Sequence, residues 1–383
     1  MSRVKVPHKK TSREVQILLT GCFLVLIFGL PVSQAAIEIY RGIRPRILGV
    51  LTRMPTEENL RAFEKQIEDS SFYSRLTRPW IQNFWFKALR NPGDKVVLGR
   101  DGWLFYKPDL RYLVEPAPDD PFSAIVTFRD QLSRKGIRLM VLPMPGKPSI
   151  YSEKLTRRAD AQNGRFESHT RNVIAGLQRA GVETLDLFET FRLLRQRGVA
   201  SYDEPYYLAR DTHWSPAAAR IAAEAAARRV RDLGWAQTGL TEYQARLVPI
   251  RRSGDIVRMI GGAAIEQQFP AEEVLCHQVV QRTSGELYKD DPHSPVLVLG
   301  DSFFRMYEKD QPGSAGFIAH LARELRMPLA SIVNDGGAST LVRQELSRRP
   351  ELLKGKTLVI WEFVERDLRF GTEGWKYVPL PGD

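Results

Sequence analysis

VLVLGDSFFRMY, residues 296–307, is an apolar run that halts at Gly300, Asp301 and Ser302 before aromatic and charged residues resume. Val296 to Leu299 have the pattern of a strand buried on both faces. Gly300 permits a tight turn where a side chain would clash. Ser302 is then expected at the end of a sheet strand, where open parallel sheets place their chemistry. Gly, Asp and Ser are also turn formers, so the competing reading is a strand followed by a capped turn and nothing more.

Outward from this run, helix and strand alternate. Phe122, Ile125, Phe128 and Leu132 have helical spacing and end at Gly136, and IRLMVLP (137–143) follows as a buried strand. A helix around 166–180 ends at Gly181, VETLDLF (182–188) reads as the second strand, and a helix with Phe191 and Leu194 stops at Gly198. Later strands are expected at 296–299, around 329–333 and at 357–363, with a helix from about Ala315 to Arg326 capped by Ser314. This alternation predicts an α/β fold, a parallel sheet flanked by helices. Residues 235–292, with polar and glycine-rich stretches such as RRSGDIVRMIGGA, break the pattern and read as an inserted subdomain or a long excursion.

A chain of 383 residues, 43% of them hydrophobic, can bury a large core. Its front end is separate. Arg3, Lys5, Lys9, Lys10 and Arg13 precede a charge-free apolar stretch through Ile37, long enough to cross a bilayer. The expected division is a cytoplasmic basic tail (1–14), a signal-anchor transmembrane helix (15–37), a periplasmic helical lead-in (38–89) and a main domain (90–375) containing the insert. Positive charge ahead of the span keeps the N-terminus in the cytoplasm, which places the rest in the periplasm of a bacterium, anchored to the inner membrane. The small residues of VSQAA offer a cleaved signal peptide as the competing reading. In the lead-in, Thr56 can cap a helix carrying Leu60, Phe63 and Ile67.

Part of the +11 formal charge belongs to the tail. The remaining mildly basic domain fits an anionic polymer or membrane surface, and export makes nucleic acid an unsuitable partner. Cys22 lies in the apolar span and Cys276 far downstream, so the exported part has no internal disulfide. The six histidines have no paired spacing of a zinc site, and no metal or other cofactor is expected.

A serine nucleophile needs a base held by a carboxylate. In ARDTHWSPAAARIAAEAAARRV, Ser215 and Pro216 open an alanine-rich helix that ends at Gly234. His213 lies just ahead of that helix and Asp211 two residues earlier, which nominates a Ser302, His213 and Asp211 triad.

These residues carry a resemblance. GDSF after a buried strand, DTHW before a helix, GRDGWLFY and LPMPGKPSIYSEKL near the front, and WEFVERDL near the end resemble the AlgJ/AlgX family of polysaccharide O-acetyltransferases, whose domains are SGNH-hydrolase-like. The resemblance covers most of residues 90–370 and shares the family's order, with Asp and His ahead of Ser. It implies acetyl transfer through Ser302, with His213 as base and Asp211 as its orienter. It further implies a membrane-bound O-acyltransferase partner as acetyl source and an exported, alginate-like polysaccharide as acceptor. The oxyanion-hole residues of ordinary SGNH enzymes cannot be mapped through this permuted order. The Ser302 N–H is one expected donor, with Asn334, Gly336, Gly337 and Arg305 as further oxyanion or substrate residues. A carbohydrate acetylesterase and a non-catalytic scaffold of an export complex are the competing functions.

Overall fold

The computed structural model describes residues 12–52, 54–110, 120–158, 168–197, 205–261, 263–335, 337–370 and 374–380. The chain divides into two units, Met1–Leu89 and Arg90–Asp383.

The first unit holds one continuous apolar helix, Arg13–Tyr40, which is a candidate membrane span by length and composition. Its middle turn, Val25–Gly29, is π-wound just ahead of Pro31, whose missing N–H interrupts the regular ladder. Thr56 does cap a helix, accepting from the Asn59 N–H to open Glu57–Ser70.

Among the described residues the second unit has nine strands: β1 (Val96–Leu98), β2 (Leu104–Tyr106), β3 (Arg138–Met144), β4 (Glu183–Thr184), β5 (Tyr243–Arg252), β6 (Glu272–Gln281), β7 (Val296–Gly300), β8 (Ala330–Val333) and β9 (Leu358–Val364). Five form the central sheet in the order β4-β3-β9-β7-β8, parallel at every pairing. The three middle strands are apolar on both faces because helices cover both. Met140, Leu142, Val296, Val298 and Ile360 face a core with the helices Pro216–Asp232 and Phe317–Leu325, while Leu139, Val141, Leu297, Leu299 and Trp361 face Ile125, Phe128, Leu132 and Val342 on the other side. Alanines at 218, 219, 222, 223, 226 and 227 are buried, and such small side chains let the helix Pro216–Asp232 lie close against its neighbours.

Two local expectations need correction. VETLDLF forms only the two-residue β4; Asp186 accepts from the Glu189 N–H and starts the helix Leu187–Arg197 instead, so a capping carboxylate overrides the strand pattern. Ser314 does not cap its helix: Gly316 is the cap, and the Ser314 hydroxyl donates to the Tyr288 carbonyl. Within residues 235–292 the chain makes a two-stranded antiparallel hairpin, β5 with β6, running from the Tyr243–Gln281 pair to the Arg252–Glu272 pair. The helix Asp255–Ile260 follows β5 directly.

Candidate active site

The C-terminal ends of β3, β7 and β9 lie side by side, so the residues leaving them converge. After β7, a Cβ on Gly300 would lie 2.5 Å from the Phe304 ring and 2.8 Å from Glu362 Oε2, which explains glycine at that turn. Asp301 caps the next turn by accepting from the Phe303 N–H, and Ser302 is its first residue. Among the described residues the Ser302 N–H has no acceptor, as expected at a helix start. Behind the turn, buried Glu362 accepts from the Asp301 N–H. Burial, reinforced by the Asp301 charge, pushes the Glu362 carboxyl well above the ordinary range.

The expected partners reach this serine across the fold. Ser215 accepts from the Ala218 N–H, and Pro216 occupies the first helical position, which fixes the start of the alanine-rich helix. Trp214, fully buried, donates its indole N–H to the Phe303 carbonyl and so ties the histidine loop to the serine turn. His213 Nε2 lies 2.9 Å from Ser302 Oγ, and its Nδ1 lies 2.8 Å from Asp211 Oδ1. With Nδ1–H donating to the carboxylate, Nε2 is left to accept the serine proton. Burial opposes charge on Asp211, yet hydrogen bonding from His213 and the adjacent Arg252 guanidinium hold its carboxyl well below the usual carboxylate range.

Several residues around this relay escaped the sequence reading. Lys147, buried just after β3, donates to the backbone carbonyls of Leu104, Ala209 and Asp211 at 2.7, 2.8 and 3.0 Å. Its desolvation, partly offset by Asp211 and neighbouring carboxylates, lowers its pKa to about 7. Glu272 accepts from the backbone N–H groups of Ala209 and Arg210. Arg252 donates Nε–H to Asp211 Oδ2 at 2.9 Å. Asp255 accepts from both the N–H and the hydroxyl of Thr212 and lies 3.7 Å from His213 Nδ1. Lys147 was within sight as part of LPMPGKPSIYSEKL, but no sequence signal distinguished Arg252, Asp255 or Glu272 from solvated charges.

Ligand-type atoms of Asp211, His213 and Asp255 lie within 4.8 Å of one another. They suit a metal poorly, because His213 and Arg252 already engage the two Asp211 oxygens, Thr212 engages Asp255, and a guanidinium supplies the positive charge.

The other expected residues are arranged differently. The Asn334 N–H donates to the Gly300 carbonyl at the end of β7 and the Gly337 N–H to the Asn334 carbonyl, so both backbone donors are already engaged. Gly336 lies outside the described residues. Arg305 pairs with Asp310 and Asp335. It lines a cavity of about 300 Å³ with Arg251, Arg252, Arg258, Asp310 and Gln311.

Residues 96–365 match the family described as "SGNH hydrolase-like domain, acetyltransferase AlgX". The chain is 24% identical over 313 residues to the probable alginate O-acetylase AlgJ of Pseudomonas aeruginosa, covering 75% of this chain and 71% of the relative. It is 23% identical over 320 residues to the protein of the same name from Azotobacter vinelandii, covering 80% and 78%. The solved O-acetyltransferase domain of Pseudomonas putida AlgJ superposes with a TM-score of 0.56 at 22% identity, covering 72% of this chain and 93% of that one, a likeness of fold.

Proposed function

Because the chain belongs to the SGNH hydrolase-like AlgX acetyltransferase family, we propose that it moves acetyl groups through Ser302 onto hydroxyls of an exported polysaccharide. The observation that carries this reading is the relay from Asp211 through His213 to the Ser302 hydroxyl, with contacts of 2.8 and 2.9 Å. The acceptor is an alginate-like polymer, a reading supported by the names of the relatives and by the arginine-lined cavity that shares Arg252 with the relay.

In the first step His213 Nε2 takes the Ser302 proton while Oγ bonds to the acetyl carbonyl carbon of an ester or thioester donor. The tetrahedral intermediate collapses, the donor's leaving group departs with the proton from His213, and Ser302 carries the acetyl group. In the second step a sugar hydroxyl gives its proton to His213 and attacks the acyl carbon. The Ser302–acyl bond breaks, and Oγ recovers the proton. Asp211 orients the imidazole and stabilises its protonated form, and the Ser302 N–H supplies one donor to the oxyanion.

On this reading residues 1–14 stay in the cytoplasm, 15–37 cross the inner membrane, 38–89 lead into the periplasm, and 90–375 carry out transfer there. Acetyl-CoA is cytoplasmic, so a membrane-bound O-acyltransferase must hand the acetyl group across.

The test is intact mass of the detergent-solubilised full chain after exposure to an activated acetyl ester, beside Ser302→Ala, with and without oligosaccharides. One acetyl group on the wild type alone, passed on to oligouronates, is the expected result. Turnover only to free acetate replaces transfer with esterase activity. No acetyl adduct and no ester consumption leaves the scaffold reading.

A further inference from the structure

The stretch RRSGD, 251–255, plays no part in the steps above, yet it contacts the Asp211 loop at successive residues. Arg252 ends β5, opposite Glu272 in the hairpin ladder. Its guanidinium reaches Asp211 Oδ2 at 2.9 Å, stands over the Tyr307 ring, and lies 3.9 Å from Asp310. It therefore touches both the loop that carries the base and the segment that follows the nucleophile. Gly254 approaches so closely that a Cβ there would fall 1.9 Å from the Arg210 carbonyl oxygen. Asp255 then holds Thr212 by two hydrogen bonds.

We propose that Arg252 is a positioning residue for the reaction, holding the second oxygen of Asp211 so that the first faces His213, and balancing the carboxylates that surround the imidazole. The proposal rests on the relay reading above. The geometry explains why such a charge is needed. Asp211 is faced by His213 from its own loop, by Arg252 and Asp255 from the hairpin side, by Lys147 from the β3 side, and by Tyr307 from beyond the serine. With Arg252 absent, Asp211 and Asp255 would both lie near His213 Nδ1, and Asp211 would have lost its guanidinium partner. They would favour a protonated imidazole, which cannot act as a base. Oδ2 would keep only the longer bond from the Asp255 N–H, at 3.4 Å, which leaves the carboxylate plane less firmly fixed against the ring.

The experiment compares full-length wild type, Arg252→Gln and Arg252→Lys in detergent. It follows the pH dependence of kcat/KM with an activated acetyl ester and the histidine titration by NMR, His213 being assigned with His213→Gln. The Gln variant is expected to move the acid limb and the His213 midpoint upward, and to lower kcat/KM at pH 7 by about tenfold or more. The Lys variant keeps the charge, so both midpoints stay near the wild type even where the rate falls. Unchanged midpoints in a folded Gln variant would reduce Arg252 to a packing residue. Displaced midpoints in the Lys variant overturn the charge-balancing role, and this holds even where the Gln variant does not fold. Should the wild type take no acetyl group on Ser302, the transfer reading fails, while the NMR titration still decides the role of Arg252.

Discussion

Lys147 Nζ lies 3.0 Å from the carbonyl oxygen of Asp211, 64 positions away in sequence. A buried amine thus holds, through backbone, the residue hydrogen-bonded to the His213 imidazole. Lys147→Met would leave three carbonyls without their donor and is expected to cost about 3 kcal/mol of stability, with acylation of Ser302 falling in parallel. Denaturant titration and intact-mass kinetics measure the two effects.

The same lysine carries a pH signature. Its folded-state value of about 7 lies below the unfolded value of about 10.4. Between these limits the unfolded chain binds more protons than the folded one, so the Lys147 contribution to stability rises with pH across that window and is flat below it. Wild type is therefore expected to gain stability relative to Lys147→Met as pH rises from 7 to 10. Equal slopes in paired denaturation curves would contradict the buried, reluctantly charged amine.

His213→Gln removes the group 2.9 Å from Ser302 Oγ while keeping a similar volume. Acylation from an activated ester should slow by roughly 10³-fold, the range of a lost general base, with thermal stability little changed. A rate within a few-fold of the wild type would remove His213 from the mechanism.

Gly254→Ala tests the close approach of the hairpin to the Asp211 loop. The new methyl would overlap the Arg210 carbonyl and sit 2.9 Å from the Asp211 nitrogen, both backbone atoms that cannot swing aside. A loss of about 1–3 kcal/mol is expected from the overpacking, together with a fall in kcat/KM of up to about 10²-fold as Asp211 is displaced. Calorimetry and the ester assay separate the two.

Arg258 is exposed at the arginine-lined cavity beside the relay. If acceptor carboxylates bind there, Arg258→Ala should lower the preference for uronate over neutral oligosaccharides about tenfold, the worth of one charge-assisted hydrogen bond. Competition between the two acceptors in one reaction reads that ratio directly.

Strand identity was legible where the local signal was unopposed. VLVLG and the runs at 137–143 and 357–363 are apolar on both faces because a parallel sheet is covered on both, and that requirement is written residue by residue. VETLDLF misled because Asp186 accepts from the Glu189 N–H and opens the helix Leu187–Arg197 where the apolar alternation alone reads as strand. Asp211, His213 and Ser302 could be nominated from sequence alone, since each sits at an element boundary marked by glycine, proline or a capping residue.

What the sequence determined by itself was therefore the alternation of elements and the three polar residues placed at their ends. The tertiary structure alone decided that His213 meets a serine 89 positions away, and that Arg252, Glu272 and Lys147 grip the loop between them. The physical reason is that a charged side chain looks the same in sequence whether it is solvated or clamped. Its role comes from the partner that folding brings within about 3 Å, where low dielectric makes the pairing strong and its loss costly.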